Sequence, residues 1–281
     1  MDINSIKQKL DALQSKSTGT QKTDYSTIFW RPTVGKQQIR IVPSAYNSKN
    51  PFTELKFYYG ITNKVMISPL NFKEKDPIAL FAQKLREGEY NKENYVLAKK
   101  LDPKTRVFAP VIVRGEEDKG VRLWQFGKLV YEELLSLAVD EEIGDYTDVA
   151  TGRDLTVETV GPESTGTQYN KSSVRVRLKQ TPLSDDAALV EKWKTEQPDP
   201  NAEFKKFTFD EMKSALEKWL APETDEEGSI ISEPNDDFED TTQSEGSKFS
   251  LDTSKAKQNK TDQFDSLFDG KKDGKVDDLP F

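Results

Sequence analysis

Short segments in which apolar and polar residues alternate follow one another along the first two-thirds of the chain. QQIRIVPS at residues 37–44 alternates and stops at a proline, and ELKFYYGIT at residues 54–62 is rich in aromatic and β-favouring side chains. A period of two places successive side chains on opposite faces of a strand. The sequence therefore predicts a fold made mainly of short β-strands.

Two pairs of such segments are close enough in sequence to form hairpins. RVFAPVIVRG (106–115) and GVRLWQFG (120–127) flank the charged turn EEDK, whereas DLTVETVG (154–161) and SSVRVRLKQ (172–180) flank a polar loop. Hairpins with one helix between them suit a small Greek-key barrel such as the OB-fold. The periodicity alone fits a β-sandwich equally well.

Two other segments carry apolar residues at helical spacing. In KLVYEELLSLAVD, which follows Gly127, five apolar residues fall on one side of the helix: Leu129, Val130, Leu134, Leu135 and Leu137. In KKFTFDEMKSALEKWL, Thr208 precedes Glu211 by three residues, which is the spacing of a capping box. The sequence predicts a helix in each segment.

The composition changes abruptly near residue 221. Residues 221–281 contain 17 acidic and 7 basic residues, a net charge of −10, whereas the whole chain carries −8, which leaves +2 for residues 1–220. The few apolar residues of the last segment cannot offset the entropy of ordering it. We expect an N-terminal arm at 1–24, a folded core at 25–221 and a disordered acidic tail at 222–281.

The chain contains neither cysteine nor histidine. This excludes disulfides, thiolate zinc sites and cysteine nucleophiles, and it removes the usual general base at neutral pH. We therefore expect a binding protein and not an enzyme, without cofactor or metal, although carboxylates could still hold Mg²⁺. No apolar run approaches the ~20 residues of a membrane span, and the N-terminus lacks a signal peptide's apolar core, so we expect a cytoplasmic protein without membrane contacts.

Three groups of basic and aromatic residues lie in the predicted β region. They occur in FWRP with QQIRIVP, in YNKENYVLAKKLDPKTRVF and in VRLWQFGK. Unpaired nucleic acid needs such a surface, because cations meet the phosphates and aromatic rings stack on exposed bases at ~1–3 kcal/mol each. The alternative is an ordinary half-exposed sheet, with charges on the wet face and aromatic residues in the core.

The order and spacing of four motifs give a family resemblance. GKQQIRIVPS is followed by PFTELKFYYG, then by YVLAKKLDPKTRVFAPVIV and then by KGVRLWQFGKLVYEELLSLAVDEEIG. Together they resemble the single-stranded DNA-binding, helix-destabilising protein of T-even-like bacteriophages, from about residue 25 to residue 220. The resemblance implies an OB-fold core, with a K/R-rich strand entering the RVFAPVIV run and a cleft that holds unpaired DNA.

The T-even proteins bind zinc through one histidine and three cysteines, and this chain has none of these ligands. The corresponding stretch is MISPLNFKEKDPIALFAQKL, in which Asp76 and Ala79 stand where a cysteine pair would be expected. We expect a zinc-free subdomain near residues 64–90. Apolar packing would hold it together through six side chains: Leu70, Phe72, Ile78, Leu80, Phe81 and Leu85.

The resemblance assigns DNA contacts to residues of this core. Arg40, Lys99 and Lys100 would meet phosphates. Four aromatic side chains would stack on bases or flank them: Tyr90, Tyr95, Phe108 and Trp124. The basic and aromatic groups add three cations to the predicted surface: Arg106, Arg122 and Lys128. The N-terminal arm would contact other copies of the protein along the DNA.

The last seven residues, KVDDLPF, resemble the tip of bacterial single-stranded DNA-binding proteins. There the terminal phenylalanine fills an apolar pocket on a replication or repair partner, and the carboxylates meet basic residues at its rim. By this resemblance, we expect the last five residues of this chain to recruit replication and recombination proteins: Asp277, Asp278, Leu279, Pro280 and Phe281.

Two other functions fit the same residues. An interaction scaffold would use the β-domain to bind protein and the tail to recruit further partners, without nucleic-acid binding. A Mg²⁺-dependent nuclease would use carboxylates for catalysis. The resemblance favours a protein that coats and protects single-stranded DNA during phage replication, recombination and repair.

Overall fold

One mixed β-sheet organises the part of the chain that the structure, a computed structural model, describes: residues 25–87 and 90–220, together with Phe264, Leu267 and Phe268. Its eight strands are β1 (Phe29–Trp30), β2 (Gly35–Ile41), β3 (Thr53–Tyr58), β4 (Met66–Ile67), β5 (Lys104–Val113), β6 (Arg122–Phe126), β7 (Arg153–Val160) and β8 (Lys171–Gln180). They run in the order β1-β6-β5-β2-β7-β8, and β3 pairs with β5 and β4. The β1–β6 pairing is parallel, and the other pairings are antiparallel.

Both predicted hairpins are confirmed. β5 and β6 pair from Val107 opposite Phe126 to Val111 opposite Arg122, and β7 pairs with β8 along most of its length. Among the described residues, the sheet path ends at β1 and at β8, which do not pair with each other. The sheet is therefore open, and the closed barrel that the sequence favoured is not what these strands form.

Strand β5 is the centre of the sheet, because its two halves pair with different strands along one edge. Its first half, Lys104 to Phe108, pairs with β3, and its last residues, Val111 to Val113, pair with β2. All ten of its residues are at least half-buried. The sheet therefore divides at β5 into a β2–β7–β8 part and a β3–β4 part.

Helices cover both parts of the sheet. The described helices are α1 (Tyr25–Ile28), α2 (Pro77–Arg86), α3 (Lys92–Lys100), α4 (Lys128–Val139), α5 (Pro162–Thr165), α6 (Ala187–Thr195) and α7 (Phe209–Leu220), with short 3₁₀ turns at Pro69–Phe72 and Glu117–Lys119. The two predicted helices are confirmed as α4 and α7. The capping box is also confirmed, since the Thr208 amide donates to Glu211 Oε2 at 2.8 Å and the Glu211 amide donates to Thr208 Oγ1 at 3.2 Å.

The expected K/R-rich strand is wrong for most of its length, because Lys92–Lys100 forms helix α3. The Asn91 side chain caps it by accepting from the Asn94 amide at 3.0 Å. Glu, Leu, Ala and Lys are good helix formers, and Leu97 and Ala98 are buried on one side of the helix. Extended structure begins only at Lys104, the first residue of β5.

The core forms several apolar clusters, of which the largest lies between β-sheet residues and α4. It includes Ile39, Val107, Val111, Trp124 and Leu134, all fully or almost fully buried. A second cluster joins α2, α3 and α7 to the ends of β3 and β4. Residues 64–90, where we expect a zinc-free subdomain, contribute Met66, Ile78, Phe81, Ala82 and Leu85 to it.

Only half of the side chains predicted to hold this subdomain are buried. Ile78, Phe81 and Leu85 lie in its core, whereas Leu70 is 41% exposed and Leu80 is half-buried. Phe72 packs against a different cluster, beside Leu55 and Phe57. The helices α3 and α7 supply the remaining apolar surface, which spacing within residues 64–90 could not show.

Asp76 is the polar centre of this region. Its carboxylate accepts hydrogen bonds from Tyr58 Oη at 2.8 Å and Ser68 Oγ at 2.6 Å, and from the amides of Ile78 and Ala79 at the start of α2. Burial, together with the neighbouring Asp76 charge, raises the pKa of Tyr58 well above its usual value. The Asp76 side chain thus connects β3, the loop after β4 and the start of α2 through hydrogen bonds.

The N-terminal arm at 1–24 lies outside the described residues, as does most of the acidic tail. Phe264, Leu267 and Phe268 correct the expectation of disorder for part of that tail, because Phe264 is 1% exposed within the α2–α7 cluster. None of the described helices is long and apolar enough to cross a membrane.

We expect Asp76→Ala to lower the free energy of unfolding by about 2–4 kcal/mol, since it removes a helix cap and leaves the Tyr58 and Ser68 hydroxyls without their acceptor. Urea denaturation measures the loss. The control Asp185→Ala removes an exposed carboxylate and should change stability by less than about 0.5 kcal/mol. Equal losses for the two variants would show that Asp76 has no special role.

Candidate nucleic-acid interface

Five of the ten residues predicted to contact DNA are buried. Arg40, Arg106 and Phe108 are 0% exposed, Trp124 is 1% exposed and Arg122 is 5% exposed. A ring or guanidinium closed off from solvent cannot meet a base or a phosphate in this conformation. The structure therefore corrects the assignment of Arg40, Arg106, Phe108 and Trp124 to the binding surface, while Arg122 lies at the edge of a cavity described below.

Arg40 has a structural role, because its guanidinium connects the sheet to neighbouring loops. Its Nη1 lies 3.3 Å from Asp154 Oδ1, and its Nη2 donates to the Asp148 carbonyl at 3.3 Å and also to the Thr181 carbonyl. Arg114 shares the same carboxylate, with Nη2 2.8 Å from Asp154 Oδ1. Burial lowers the pKa of Arg40, and the charge of Asp154 opposes that shift. This network connects β2, β5 and β7 to the loop that precedes β7, through Asp148, and to the segment that follows β8, through Thr181.

Phe108 and Trp124 support the site from within. The Trp124 ring packs edge-on against Trp30, with centroids 5.5 Å apart, and lies 4.6 Å from Phe126. Phe108 contacts Phe29 and Phe204 at 6.3 and 5.5 Å on the other face of the sheet. Trp124 therefore packs among rings that are themselves buried, whereas Phe108 supports the half-buried Phe29 and Phe204.

Four of the predicted residues form one exposed group, which we call the helix patch: Tyr90, Tyr95, Lys99 and Lys100. The tyrosines are 80% and 49% exposed, with ring centroids 6.2 Å apart. Tyr95 and Lys99 are four residues apart in α3 and so share a face. Lys128 is also exposed but begins α4, where it lies 3.5 Å from Glu132.

Two adjoining cavities of ≈ 500 and ≈ 480 Å³ form a cleft around the segment that precedes β2. Tyr25, Phe29, Trp30 and Arg31 line both, and we call the whole the Tyr25 cleft. One end continues to Lys64, Gln125, Phe204, Lys205 and Phe207. The other end continues to Thr33, Gln37, Glu116, Lys119 and Arg122.

Four of the five aromatic rings that line the Tyr25 cleft are exposed or half-buried, whereas Trp30 is only 4% exposed. Tyr25 is 58% exposed, and its ring lies 6.3 Å from Phe29. Phe29 contacts Phe204 at 5.7 Å, and Lys205 Nζ lies 4.8 Å from the Phe207 ring centre. Half-buried rings with an open face are suited to stack on planar ligands.

Positive charge predominates along the cleft. The cations are Arg31, Lys64, Lys119, Arg122 and Lys205, against the two carboxylates Glu116 and Glu203. Hydrogen bonds from Lys119 and Arg122, at 3.0 and 2.6 Å, lower the pKa of Glu116. Burial raises the pKa of Glu203, and the charge of Asp199 adds to the shift. Glu203 is therefore the acidic group of the cleft that is neutralised most readily as the pH falls.

The fold brings this cleft together from distant parts of the chain. The parallel pairing of β1 with β6 places Trp30 beside Trp124, and the loop between α6 and α7 supplies Phe204, Lys205 and Phe207. The FWRP segment stands out in the sequence as basic and aromatic, but none of its residues is among the predicted DNA contacts, and neither is any residue of the loop. The signal for the loop is the pair of lysines between two phenylalanines in FKKF, residues 204–207.

The lining of the Tyr25 cleft includes Arg122 and no member of the helix patch among the described residues. Residues 25–87 and 90–220, with the three described tail residues, also contain no group of three acidic side chains close enough to hold a metal ion. No protein-family model matches the sequence, and no curated protein is significantly similar to it.

Because Arg40 is a buried brace and Arg31 is exposed, we expect the two alanine variants to differ in stability. Arg40→Ala removes one partner of a buried pair and should lower the free energy of unfolding by about 3 kcal/mol. Arg31→Ala should change it by less than about 0.5 kcal/mol. Urea denaturation of both variants decides the point, and a destabilised Arg31→Ala protein would contradict the assignment.

Proposed function

We propose that this chain binds single-stranded DNA in the Tyr25 cleft, without a catalytic step, and coats it during phage replication, recombination and repair. The observation that carries the proposal is the cleft's combination of accessible rings with a surplus of cations. Tyr25, Phe29 and Phe207 offer stacking surfaces, while Arg31, Lys64 and Lys205 border them. The phage family resemblance supports the same function independently.

The chemistry of unpaired DNA explains why this combination matters. Its bases expose faces that a duplex hides, and stacking on an aromatic side chain contributes ~1–3 kcal/mol per base without regard to sequence. Its phosphates recur along the strand and require cations beside the rings. Three of the five cations have carboxylate neighbours, since Lys119 and Arg122 share Glu116, and Lys205 lies 3.3 Å from Glu211. Phosphate would compete with these carboxylates for the cations.

The proposal extends to the arrangement of strands and to the assembly. We propose an OB-type order of hairpins, supported by the position of α4 between the β5–β6 and β7–β8 hairpins. Other copies of the protein would lie next to one another along the DNA. The N-terminal arm, which we expect to join them, lies outside the described residues.

Two double variants test which surface binds DNA. Arg31→Ala with Lys205→Ala alters the Tyr25 cleft, and Lys99→Ala with Lys100→Ala alters the helix patch. A salt titration of oligo-dT binding, followed by anisotropy, gives the slope of log K against log salt. We expect the cleft variant to lower this slope by ~0.7 for each lost phosphate contact.

Lys192→Ala with Lys194→Ala is the matched control, because it removes one exposed and one half-buried cation from α6, away from both surfaces. This control should leave the slope unchanged. A loss confined to Lys99 and Lys100 would move the site to the helix patch. Failure of the unaltered protein to bind oligo-dT would favour the interaction scaffold, and Mg²⁺-dependent strand cleavage would identify a nuclease.

We also propose that the tail tip recruits replication and recombination proteins; Asp277, Asp278, Leu279, Pro280 and Phe281 lie outside the described residues. Deleting Leu279, Pro280 and Phe281 removes the apolar anchor and almost none of the charge. We expect this deletion to abolish partner capture and to spare DNA affinity. Cutting after Ala221 should instead tighten DNA binding, most at low salt where charges are least screened. Undiminished partner capture by the three-residue deletion would refute the anchor role.

A further inference from the structure

A short piece of the C-terminal region is seated on the folded core. Phe264, Leu267 and Phe268 are helical, and their spacing of three and four residues places them on one face of a helix. Phe264 is 1% exposed, and Leu267 and Phe268 are half-buried against the same cluster. The sequence around them, DQFDSLFD, is otherwise acidic and polar.

The contacts of these residues define a groove between α2 and α7. Phe264 packs edge-on against Phe81 of α2, with centroids 5.8 Å apart, and Phe268 packs against Phe209 of α7 at 6.0 Å. Phe264 and Phe268 also contact each other at 4.8 Å. Met212 and Leu216 of α7 belong to the same buried cluster. The groove is therefore apolar in its floor.

The rim of the groove carries a basic side chain, Lys213, beside the rings of Phe264 and Phe268. Lys213 Nζ lies 5.8 Å from the Phe264 ring centre and 5.3 Å from that of Phe268, within the range of cation–π attraction. In the sequence, Asp262, Asp265 and Asp269 lie around these three apolar residues. An acidic sequence with three apolar residues thus meets an apolar groove with one basic residue at its rim.

We propose that the α2–α7 groove is a peptide-binding site whose occupant is the protein's own segment 262–269, and that this contact fastens the acidic tail to the core at a second point. The ligand class is a short acidic helix that presents two phenylalanines and a leucine on one face. The proposal does not depend on DNA binding, since no residue of the Tyr25 cleft takes part.

The second attachment changes what the tail can reach. Residues 221–263 number 43, carry 12 acidic and 4 basic residues, and begin and end beside one cluster, because Leu220 and Phe264 both belong to it. Only 13 residues follow Phe268, and even a fully extended chain of that length spans about 45 Å. Without docking, the 61 residues after Leu220 could span about 210 Å. Docking therefore keeps most of the negative charge and the KVDDLPF tip near the core.

A peptide-binding experiment on full-length protein tests the groove. Phe264→Ala with Phe268→Ala empties it without altering α2 or α7. A labelled peptide of residues 258–272 should bind this variant and should bind the unaltered protein at least ~10-fold more weakly, because the tethered segment competes at an effective concentration near ~mM. The control is a variant with the same two changes elsewhere in the tail, Phe238→Ala and Phe249→Ala. It should bind the peptide as weakly as the unaltered protein does.

Two further measurements separate the alternatives. Adding Lys213→Glu to the emptied variant should weaken peptide binding, since the acidic peptide would then face a like charge; equal binding would remove Lys213 from the site. Mixing full-length chains that carry either a donor or an acceptor dye at position 270 should give no energy transfer between chains at low protein concentration. Transfer between chains would show exchange of the segment between copies, and no peptide binding by the emptied variant would refute the groove.

Discussion

The fold depends on one geometric constraint, the pairing of strand β5 with three other strands. A strand has two edges, and β5 uses one for β6 and divides the other between β3 and β2. β6 leads into α4, whereas β3 leads through β4 into α2 and α3. The two main apolar clusters form accordingly, one with α4 and one with α2, α3 and α7. The Tyr25 cleft lies at the other edge of β6, where β1 pairs with β6 in parallel.

Two carboxylates connect separate segments of this fold. Asp76 accepts four hydrogen bonds from three chain segments, and Asp154 joins Arg40 to Arg114. A buried carboxylate is tolerated only where such donors surround it, since an unpaired buried charge is costly. The hydrogen-bond networks around Asp76 and Asp154 therefore hold the loops that contribute to them in one arrangement. The positions of these loops in turn determine the neighbouring surface of the protein.

The two functional proposals concern opposite kinds of surface. The Tyr25 cleft is open, basic and bordered by rings, which suits a ligand that is charged throughout and presents flat faces. The α2–α7 groove is apolar with one basic side chain at its rim, and a segment of the protein's own tail already fills it. The placement of Phe264 brings a described part of the tail against α2, where its ring packs on Phe81.

The sequence by itself determined the elements that local patterns specify: both hairpins, helices α4 and α7, and the Thr208–Glu211 capping box. It could not determine which faces are covered. Lys36 and Arg40 lie on the same side of β2, two pleats apart, yet the Lys36 side chain is 65% exposed and Arg40 is fully buried. Residues more than 100 positions away, Asp148, Asp154 and Thr181, enclose Arg40. Periodicity assigns a side chain to a face of a strand, but only tertiary packing decides whether that face meets solvent. For this reason some of the basic and aromatic residues are buried and form structural contacts, whereas others line an accessible cleft.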